Sequence, residues 1–544
     1  MYKYNLAFLS LFNNFILKIC VNPDNLRHLR AKKQIMKRII LLLCILLPVY
    51  LQAQNNQNFD KSFEEFQKSI NQQFNTFQDS INAAFAKTLE QQWQEFQVFA
   101  KIPAPVKPNP PAPPVADTPK EELPPPVEIP VKEIEPPQEE KPQEKKTEPQ
   151  EPRLDDKKPE LPKIEEETKP VAPVFPDVTP SVPYHKTINL WNSAFKIPHD
   201  LALENLFLTN TQEKTVADFW RSLSRTNYQP AVNAIVEMKN KHALNQYGLA
   251  LLCQEYAKSV WANKPQNETA VFLVFLLNQL GLDAKIVRTS NRLEPVIHSP
   301  QNVYATSYLE MDRKPYYFLF STLEPTSIFT YKTNFSDKIT GLDFNVYKPV
   351  NLNAILIDKE LWVKKLNQTV TLTYSQSAID YYRNYPQVDA DVNANAAVNE
   401  HFINSVIRQF KPLLAGKTEE EAVNILLNFM HYAFEYMDDI AHYGYEKWNF
   451  CEENLYYPYN DCDDRAIMFS YLVRLLLDLD VVLVLYSDHM SAAVHFNTPV
   501  SGNYFTIGGK KYVICDPTYI GSTAGMNPPK YKNEEVEIVR TKRL

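Results

Sequence analysis

The sequence predicts an α+β fold in roughly the last two thirds of a chain of 544 residues. Three observations lead to this prediction. Helical periodicity and short apolar stretches typical of strands occur together after residue 184, one helix-then-strand pattern occurs twice there, and the preceding residues have a composition unsuited to a packed core. We therefore expect a helix packed on an antiparallel sheet, present in two copies, preceded by a long helix and a linker.

Glycine and proline are distributed unevenly along the chain. There are 10 glycines and 41 prolines, no glycine precedes Gly248, and 24 prolines lie in residues 103–183. These skews exclude a uniform globular body, collagen, and a glycine-rich phosphate loop in the N-terminal half. The net charge of −7 gives no overall basic field, so nucleic acid is not an expected partner.

Residues 36–53 have the layout of a secretory signal peptide. Lys37 and Arg38 precede a short apolar stretch, and Ala53 is a small residue suited to cleavage on its C-terminal side. The apolar stretch is shorter than the roughly 20 residues of a spanning helix. We expect export to the periplasm or cell envelope and no transmembrane span in the mature chain. Residues 1–35 are then an extension from an upstream start, or a long n-region.

Apolar residues recur at helical spacing from Phe59 to Phe96, with Gln, Asn, Glu and Lys on the other faces. We expect a long amphipathic helix within residues 54–100 that must bury its stripe. It does so by self-association through residues 59–96, as in a coiled coil, or by lying on another surface. A membrane-surface helix is less favoured, because the polar faces are more acidic and amide-rich than basic. Residues 101–183 are rich in Pro, Glu and Lys, which predicts a disordered linker.

Two stretches of the folded part share one pattern. Residues 267–287 and 463–484 each predict a helix followed by a buried strand. Setting the two helices in register places Gln266 opposite Cys462, so the first copy lacks a thiol at that position. The predicted regions are a degenerate domain at 184–345, a connecting strand-rich region at 346–400 and a second, complete domain at 401–544.

The second copy contains residues suited to thiol chemistry. Cys462 begins a predicted helix, where unpaired amides favour a thiolate. His489 precedes a strand-like alternation, and Asp516 ends another predicted strand before Pro517. A thiol that faces an imidazole and a carboxylate supplies a nucleophile, a base and a group that orients the base. His495, six residues after His489, would share its strand face and is an alternative base.

These segments resemble the transglutaminase-like superfamily, in which Cys, His and Asp follow in that order on a papain-like fold. The resemblance rests on NDCDDRA at the helix start, on HMSAAVHF and on ICDPTY. It implies that Cys462 is the nucleophile, His489 the base and Asp516 the orienting carboxylate. The family's Trp and Glu after the histidine are Ser491 and Ala493 here, so substrate preference does not carry over. More weakly, the chain resembles exported bacterial proteins with a duplicated core.

The resemblance implies an exported cysteine hydrolase or acyltransferase that acts on peptide or amide bonds through a thioester, with a peptide or protein substrate. The alternative is a catalytically inactive binding or envelope-organising protein with the same core. No CxxC or HExxH spacing supports a metal site, so we expect neither metal nor cofactor. The sequence does not decide whether Cys451 and Cys515 form a disulfide. Asp463 and Asp464 are interpreted as partners of the helix dipole.

Overall fold

The structure, a computed structural model, describes most of the chain after residue 78. The described residues are 69, 76, 78–99, 101, 112–116, 128–131, 184–262, 266–290, 292–321 and 327–544. The predicted signal peptide and most of the predicted linker lie outside them. The fold mixes helices with antiparallel sheets, which confirms the predicted α+β class. Among the described residues, no helix combines the length and apolar character that crossing a membrane requires.

The N-terminal part contains one helix and one strand. Helix α1 covers residues 78–91, and strand β1 follows at Gln94–Gln97. The predicted helix reached Phe96 and is wrong at this end, because β1 pairs antiparallel with residues 327–330 instead of continuing α1. The regions that the sequence predicts as two copies are called the first copy and the second copy below, as labels only. Phe85 and Leu89 of α1 are buried in the core of the first copy.

The first copy packs four helices against a six-stranded sheet. A hairpin precedes it, formed by β2 (His185–Leu190) and β3 (Ser193–Pro198). The helices are α2 (Glu213–Ser224), α3 (Gln229–Lys241), α4 (Gln246–Val260) and α5 (Gln266–Gln279). The strands are β4 (Ala284–Arg288), β5 (Leu293–His298), β6 (Tyr308–Met311), β7 (Lys314–Tyr317) and β8 (Ser327–Thr330).

A hairpin and short helices connect the two copies, and the second copy packs a long helix on a five-stranded sheet. The connection contains β9 (Leu356–Val363), β10 (Gln368–Ser375), α6 (Gln376–Tyr382) and α7 (Ala390–Ala394). The helices that follow are α8 (Glu400–Leu414), α9 (Glu419–Ala433), α10 (Asp439–Tyr443), α11 (Glu453–Tyr456) and α12 (Cys462–Leu477). The strands are β11 (Asp480–Leu485), β12 (Met490–His495), β13 (Tyr504–Ile507), β14 (Lys510–Cys515) and β15 (Glu537–Arg540).

The two sheets have the same strand order. The first reads β1-β8-β4-β5-β7-β6, and the second reads β15-β11-β12-β14-β13. Apart from β1, each strand of one sheet therefore has a counterpart in the other. In both sheets two adjacent inner strands form a hairpin (β4–β5 and β11–β12), and a helix directly precedes this hairpin in the sequence. Residues of α12 and one face of the second sheet form a common apolar core. The opposite face of that sheet belongs to a separate apolar cluster.

Two details of the first copy differ from the pattern that the sequence predicts. Residues 231–262 have one helical pattern, but the chain turns between α3 and α4, where Ala243 takes a φ of 51° and Asn245 caps α4 by accepting from the Gly248 amide. Strand β5 was not predicted. It contains Pro295, which lies opposite Ile286 in the ladder. Because proline is uncommon inside sheets, this stretch lacks the usual sequence pattern of a strand.

Two short pieces of the predicted linker belong to the folded structure. In residues 112–116, the Ala116 amide donates to the Ile520 carbonyl at 2.9 Å, just after the strand that ends before Asp516. In residues 128–131, Ile129 is buried on the second sheet. The prediction of a disordered linker is wrong at these two positions, because residues 114–116 exchange backbone hydrogen bonds with Ile520 and Ile129 buries its side chain.

Candidate active site

Cys462 is the first residue of α12, as its sequence pattern predicts. Asp461 occupies the N-cap position with extended backbone angles, and its carbonyl accepts from the Arg465 amide at 3.3 Å. Its carboxylate makes no capping hydrogen bond to the amides of the helix start within the described chain. The thiol is fully buried, and its sulfur accepts from the Met490 amide at 3.2 Å. This contact places the sulfur beside the residue that follows His489.

His489 lies in the turn between β11 and β12. The Tyr486 amide donates to the His489 carbonyl at 2.8 Å, which closes the turn and directs the ring inward. The imidazole lies parallel to the ring of Tyr531, with centroids 5.0 Å apart and planes 8° apart. Its Nε2 is 2.8 Å from a carboxylate oxygen of Asp516, and its buried Nδ1 has no hydrogen-bond partner among the described residues.

Asp516 follows β14 directly and is fully buried. One carboxylate oxygen, Oδ1, accepts from the amides of Thr518 and Tyr519 at 2.8 and 3.1 Å, and the other faces His489. Burial acts to raise the pKa of Asp516, but His489 and the Thr518 amide hold the pKa below its usual range. The ionised carboxylate fixes the tautomer of His489, because Nε2 must then donate and Nδ1 is left as the acceptor.

The structure brings Cys462, His489 and Asp516 together and places His495 elsewhere. His495 is the last residue of β12, where it lies opposite Asp480, and its Nδ1 is 2.8 Å from the Lys511 carbonyl. The alternative base therefore lies at the end of the strand remote from the thiol.

A close backbone contact supports the loop that follows Asp516. Gly502 has a φ of +114°, and a Cβ added to it would lie 2.3 Å from the Gly525 Cα. The Asn503 amide donates to the Gly525 carbonyl, and the Gly525 amide donates to the Ile514 carbonyl. Glycine at position 502 thus lets the loop lie directly against the strands that carry the site.

The electrostatics around the thiol differ from the sequence expectation. A helix N-terminus favours a thiolate, but burial, followed by the carboxyls of Asp461 and Asp463, holds the pKa of Cys462 well above its usual range. In this closed arrangement Cys462 is a neutral thiol. Removing the burial, or moving its proton to the imidazole, is required before it can act as a nucleophile.

Three buried carboxyls lie beside the thiol. Asp439, Asp461 and Asp463 each offer an oxygen, and these oxygens lie within 4.8 Å of one another. Oxygen ligands at such spacing could hold a hard cation, and without one the carboxyls must share protons. Burial, then the charges of Asp461 and Asp464, raises the pKa of Asp439 to about 11. Asp463 and Asp464 lie in the first turn of α12, where the sequence interpretation as partners of the helix dipole places them, and both are buried.

The four described cysteines are free thiols and all are buried. Cys451 and Cys515, whose pairing the sequence leaves open, form no disulfide with each other. Among the described residues, no cysteine or histidine belongs to a group with metal-binding spacing.

Sequence reasoning missed three residues around the site. His431 on α9 donates from Nε2 to the Asp516 carbonyl at 3.1 Å, and burial lowers its pKa to about 4. Arg465 is buried within α12, donates to the Phe434 carbonyl at 2.9 Å and lies over the ring of Tyr436. The ring of Tyr531 packs against His489. Only Arg465 had a signal in the sequence, as a charged residue on an otherwise apolar helix face.

The strand registers identify the counterparts of the site in the first copy. Gln266, like Cys462, is the first residue of its helix. Arg292 immediately precedes Leu293, which ends the β4–β5 ladder as Met490 ends the β11–β12 ladder. Gln266 is therefore the counterpart of Cys462, and Arg292 is the counterpart of His489. The registers of β5 with β7 and of β12 with β14 make Phe320 the counterpart of Asp516. Arg292 donates to Gln266 at 3.2 Å, so the two positions also touch in the first copy.

Comparisons with known proteins gave no match: no family model fits the chain, and neither the curated proteins nor the solved structures contain a significant relative.

Proposed function

We propose that this chain is a cysteine hydrolase or acyltransferase of the transglutaminase-like type, with a papain-like core in its second copy. One observation carries the proposal: the sulfur of Cys462 contacts the Met490 amide while the adjacent His489 bonds to the buried, ionised Asp516. A buried His–Asp pair costs free energy in a core, and this pair lies next to a thiol at a helix start. The shared strand order supports a duplicated core whose first copy has lost its thiol.

The chemistry follows from the tautomer of His489. Nδ1 accepts the thiol proton, and the sulfur of Cys462 attacks the carbonyl carbon of an amide. Backbone amides at the start of α12 stabilise the oxyanion. When the C–N bond breaks, the imidazolium returns its proton to the leaving amine, and the acyl group stays on Cys462 as a thioester. Water activated by the same imidazole then releases a carboxylic acid, whereas an amine in its place completes acyl transfer.

Asp516 acts through His489 and does not touch the substrate. Its carboxylate holds Nε2 protonated and stabilises the imidazolium that forms during the attack. The two amides on its other oxygen keep it ionised while it is buried. The preferred reaction is hydrolysis of a peptide or amide bond, with a peptide or protein as substrate.

The second candidate is an inactive binding or envelope-organising protein. The full burial of Cys462, His489 and Asp516 favours it, because no substrate reaches a thiol that is closed on all sides. The two candidates differ in whether the thiol becomes acylated. The signal-like segment 36–53 supports export to the periplasm or cell envelope for either one.

Acylation of the full mature chain tests the proposal. The protein is mixed with p-nitrophenyl acetate at pH 5 to 9, p-nitrophenolate release is followed, and the acetylated peptide is identified by mass spectrometry. We expect a burst with acetylation at Cys462, which the Cys462→Ser variant lacks and the first-copy control Gln266→Ala retains. Acetylation spread equally over Cys253, Cys451 and Cys462, or a burst that survives in Cys462→Ser, would contradict the proposal.

A further inference from the structure

Each sheet is completed by a segment from the N-terminal part of the chain. On the first sheet, β1 pairs with β8 at one edge, and Phe99 forms a bridge with Tyr308 of β6 at the other edge. On the second sheet, Glu128 forms a bridge with Tyr504 of β13, and Val131 with Val536, which directly precedes β15. In both cases, only two or three residues separate the contacts with the two edges, so the segment joins edges that the curvature of the sheet brings close together. The buried residue of each segment packs on the sheet face opposite the helices, called the outer face below.

The two segments use equivalent positions. Tyr308 lies opposite Tyr317 in the first sheet, and Tyr504 lies opposite Val513 in the second. Because Tyr317 and Val513 occupy equivalent positions in the two sheets, Tyr308 and Tyr504 are counterparts. Next to the bridging residue, Val98 is buried in the first copy and Ile129 in the second. The segments run in opposite directions, antiparallel at Phe99 and parallel at Glu128. The outer face therefore accepts an extended peptide as a surface, without requiring one chain direction.

The segment 128–131, called the strap below, is anchored by one side chain and one backbone bond. Ile129 is 1% exposed and packs in the cluster that contains Val484, Phe505 and Ile514. Its amide donates to the Tyr504 carbonyl at 2.9 Å. Pro130 is exposed and has no amide hydrogen to satisfy, which suits an extended segment that lies on a surface.

The strap packs against the cover of the candidate active site. The cover is the segment 526–536, whose Tyr531 ring lies parallel to the His489 imidazole. Tyr531 and Val536 belong to the same apolar cluster as Ile129, and Val131 forms a bridge with Val536. The polar contacts of the cover go to the turn that carries His489: Lys530 and Tyr531 both bond to Asp488, and the Ser487 amide donates to Glu534.

We propose that the outer face of the second sheet is a docking surface for an extended, proline-flanked apolar peptide, that the strap of this chain is its occupant, and that the docked strap latches the cover over Cys462. The strap supplies apolar contacts that the cover would otherwise lack on this side. Release of Ile129 frees Val536 and Tyr531 to move and opens a path to the thiol. The latch deepens the proposed function, since it regulates access to the same nucleophile.

Alkylation of Cys462 in the full mature chain tests the latch. Iodoacetamide labelling is followed by peptide mapping for the parent protein, for Ile129→Asp and for the control Val115→Asp, whose side chain is 68% exposed in the parent. We expect Ile129→Asp to label at Cys462 at least about tenfold faster, since burial of an isoleucine is worth about that factor. Val115→Asp is expected to label at the parent rate. Far-UV circular dichroism and thermal melts show whether each variant is folded.

A synthetic peptide supplies the second arm of the test. A peptide with the sequence of residues 124–134 is added in excess to the Ile129→Asp variant, and the same peptide with Asp in place of its isoleucine is the control. Slowing of labelling by the first peptide alone is the expected result. Equal labelling of Ile129→Asp and the parent, or fast labelling that neither peptide slows, overturns the latch.

The test also separates failure of the latch from failure of the proposed function. The ratio of labelling rates between Ile129→Asp and the parent reports access, so it is expected to persist when both chains also carry His489→Gln. Acyl transfer from p-nitrophenyl acetate reports catalysis and is lost in that background. If the labelling ratio persists and the parent protein is never acylated by p-nitrophenyl acetate, the docking surface is supported and the proposed enzymatic function is contradicted.

Discussion

The two copies share a strand order but differ at the positions of the thiol and the imidazole. In the first copy, Gln266 and Arg292 are exposed to solvent. In the second, Cys462, His489 and Asp516 are all fully buried. The first copy shows that the scaffold folds without a thiol, an imidazole or a carboxylate at these positions. Burial of these three polar side chains in the second copy carries a desolvation cost, which the proposed catalytic role would account for.

The largest expected effect comes from exchanging the base and its counterpart. His489→Gln removes the acceptor of the thiol proton and is expected to slow acylation of Cys462 by about 10²- to 10⁴-fold. The matched change Arg292→Gln, in the first copy, is expected to leave the rate within about twofold, because it alters an exposed side chain far from the thiol. Single-turnover release of p-nitrophenolate measures both. Equal rates in the two variants would remove the distinction between the copies.

Much of this comparison was predictable from the sequence. The sequence around Cys462, His489 and Asp516 predicts the helix that begins at the thiol and the strands next to the other two residues. Each of these elements has a clear apolar pattern bounded by turn residues. The burial of Ile129 was not predictable, because Val127, Ile129 and Val131 stand in a stretch rich in Pro, Glu and Lys whose composition predicts disorder. Strand β1 was missed because Phe96 also fits the helical period of α1, and only pairing with β8 decides between them.

The polar surroundings of the site were the least predictable part. Asp463 and Asp464 resemble ordinary first-turn acids, and their burial depends on residues distant in sequence. Asn449, for example, donates its backbone amide and its side-chain amide to Asp464, both at 2.8 Å. The raised pKa of Cys462 follows from the same burial. Local helix rules favour the thiolate, but tertiary burial determines the outcome.

An intermediate effect is expected on acid stability. Burial lowers the pKa of His431 to about 4, against 6.5 for an exposed histidine. The unfolded chain binds this proton below pH 6.5 and the folded chain does not, so the associated stability is present above pH 6.5 and is lost as the pH falls to about 4. The loss is roughly 3 kcal/mol. Urea unfolding at pH 7 and pH 4.5 is expected to show a smaller difference in His431→Gln than in the parent.

His199 in the first copy is the matched control for this pH effect. Burial and the charge of Lys186 also lower the pKa of His199, but Glu204, 3.3 Å from its Nε2, opposes that shift. Among the described residues, no such acidic side chain pairs with His431. His199→Gln is therefore expected to change the pH dependence less than His431→Gln. The reverse order would show that acid sensitivity belongs to the first copy and that burial of His431 is relieved by the surrounding groups.

The smallest expected effect concerns the cluster of three buried carboxyls, Asp439, Asp461 and Asp463, which among the described residues has no counterpart in the first copy. With its pKa raised to about 11 by burial and by Asp461 and Asp464, Asp439 carries a proton at pH 7. Asn is nearly isosteric with a protonated Asp and can keep the bond that its Oδ2 accepts from the Lys447 amide at 2.7 Å. Asp439→Asn is expected to change the free energy of unfolding by less than about 1 kcal/mol.

Urea unfolding of Asp439→Asn and the parent at pH 7, with EDTA and then with added Ca²⁺, measures this effect. If the three carboxyls share protons, the free energy of unfolding of Asp439→Asn differs little from that of the parent, equally with EDTA and with Ca²⁺. No cation is then bound that would require all three carboxylates as ligands. If Asp439→Asn costs several kcal/mol only when Ca²⁺ is present, the carboxyls are ionised around a cation and their raised pKa values do not apply. Cys462 would then lie beside a bound positive charge, which favours the thiolate and reverses the electrostatic difference between the closed site and a helix N-terminus in water.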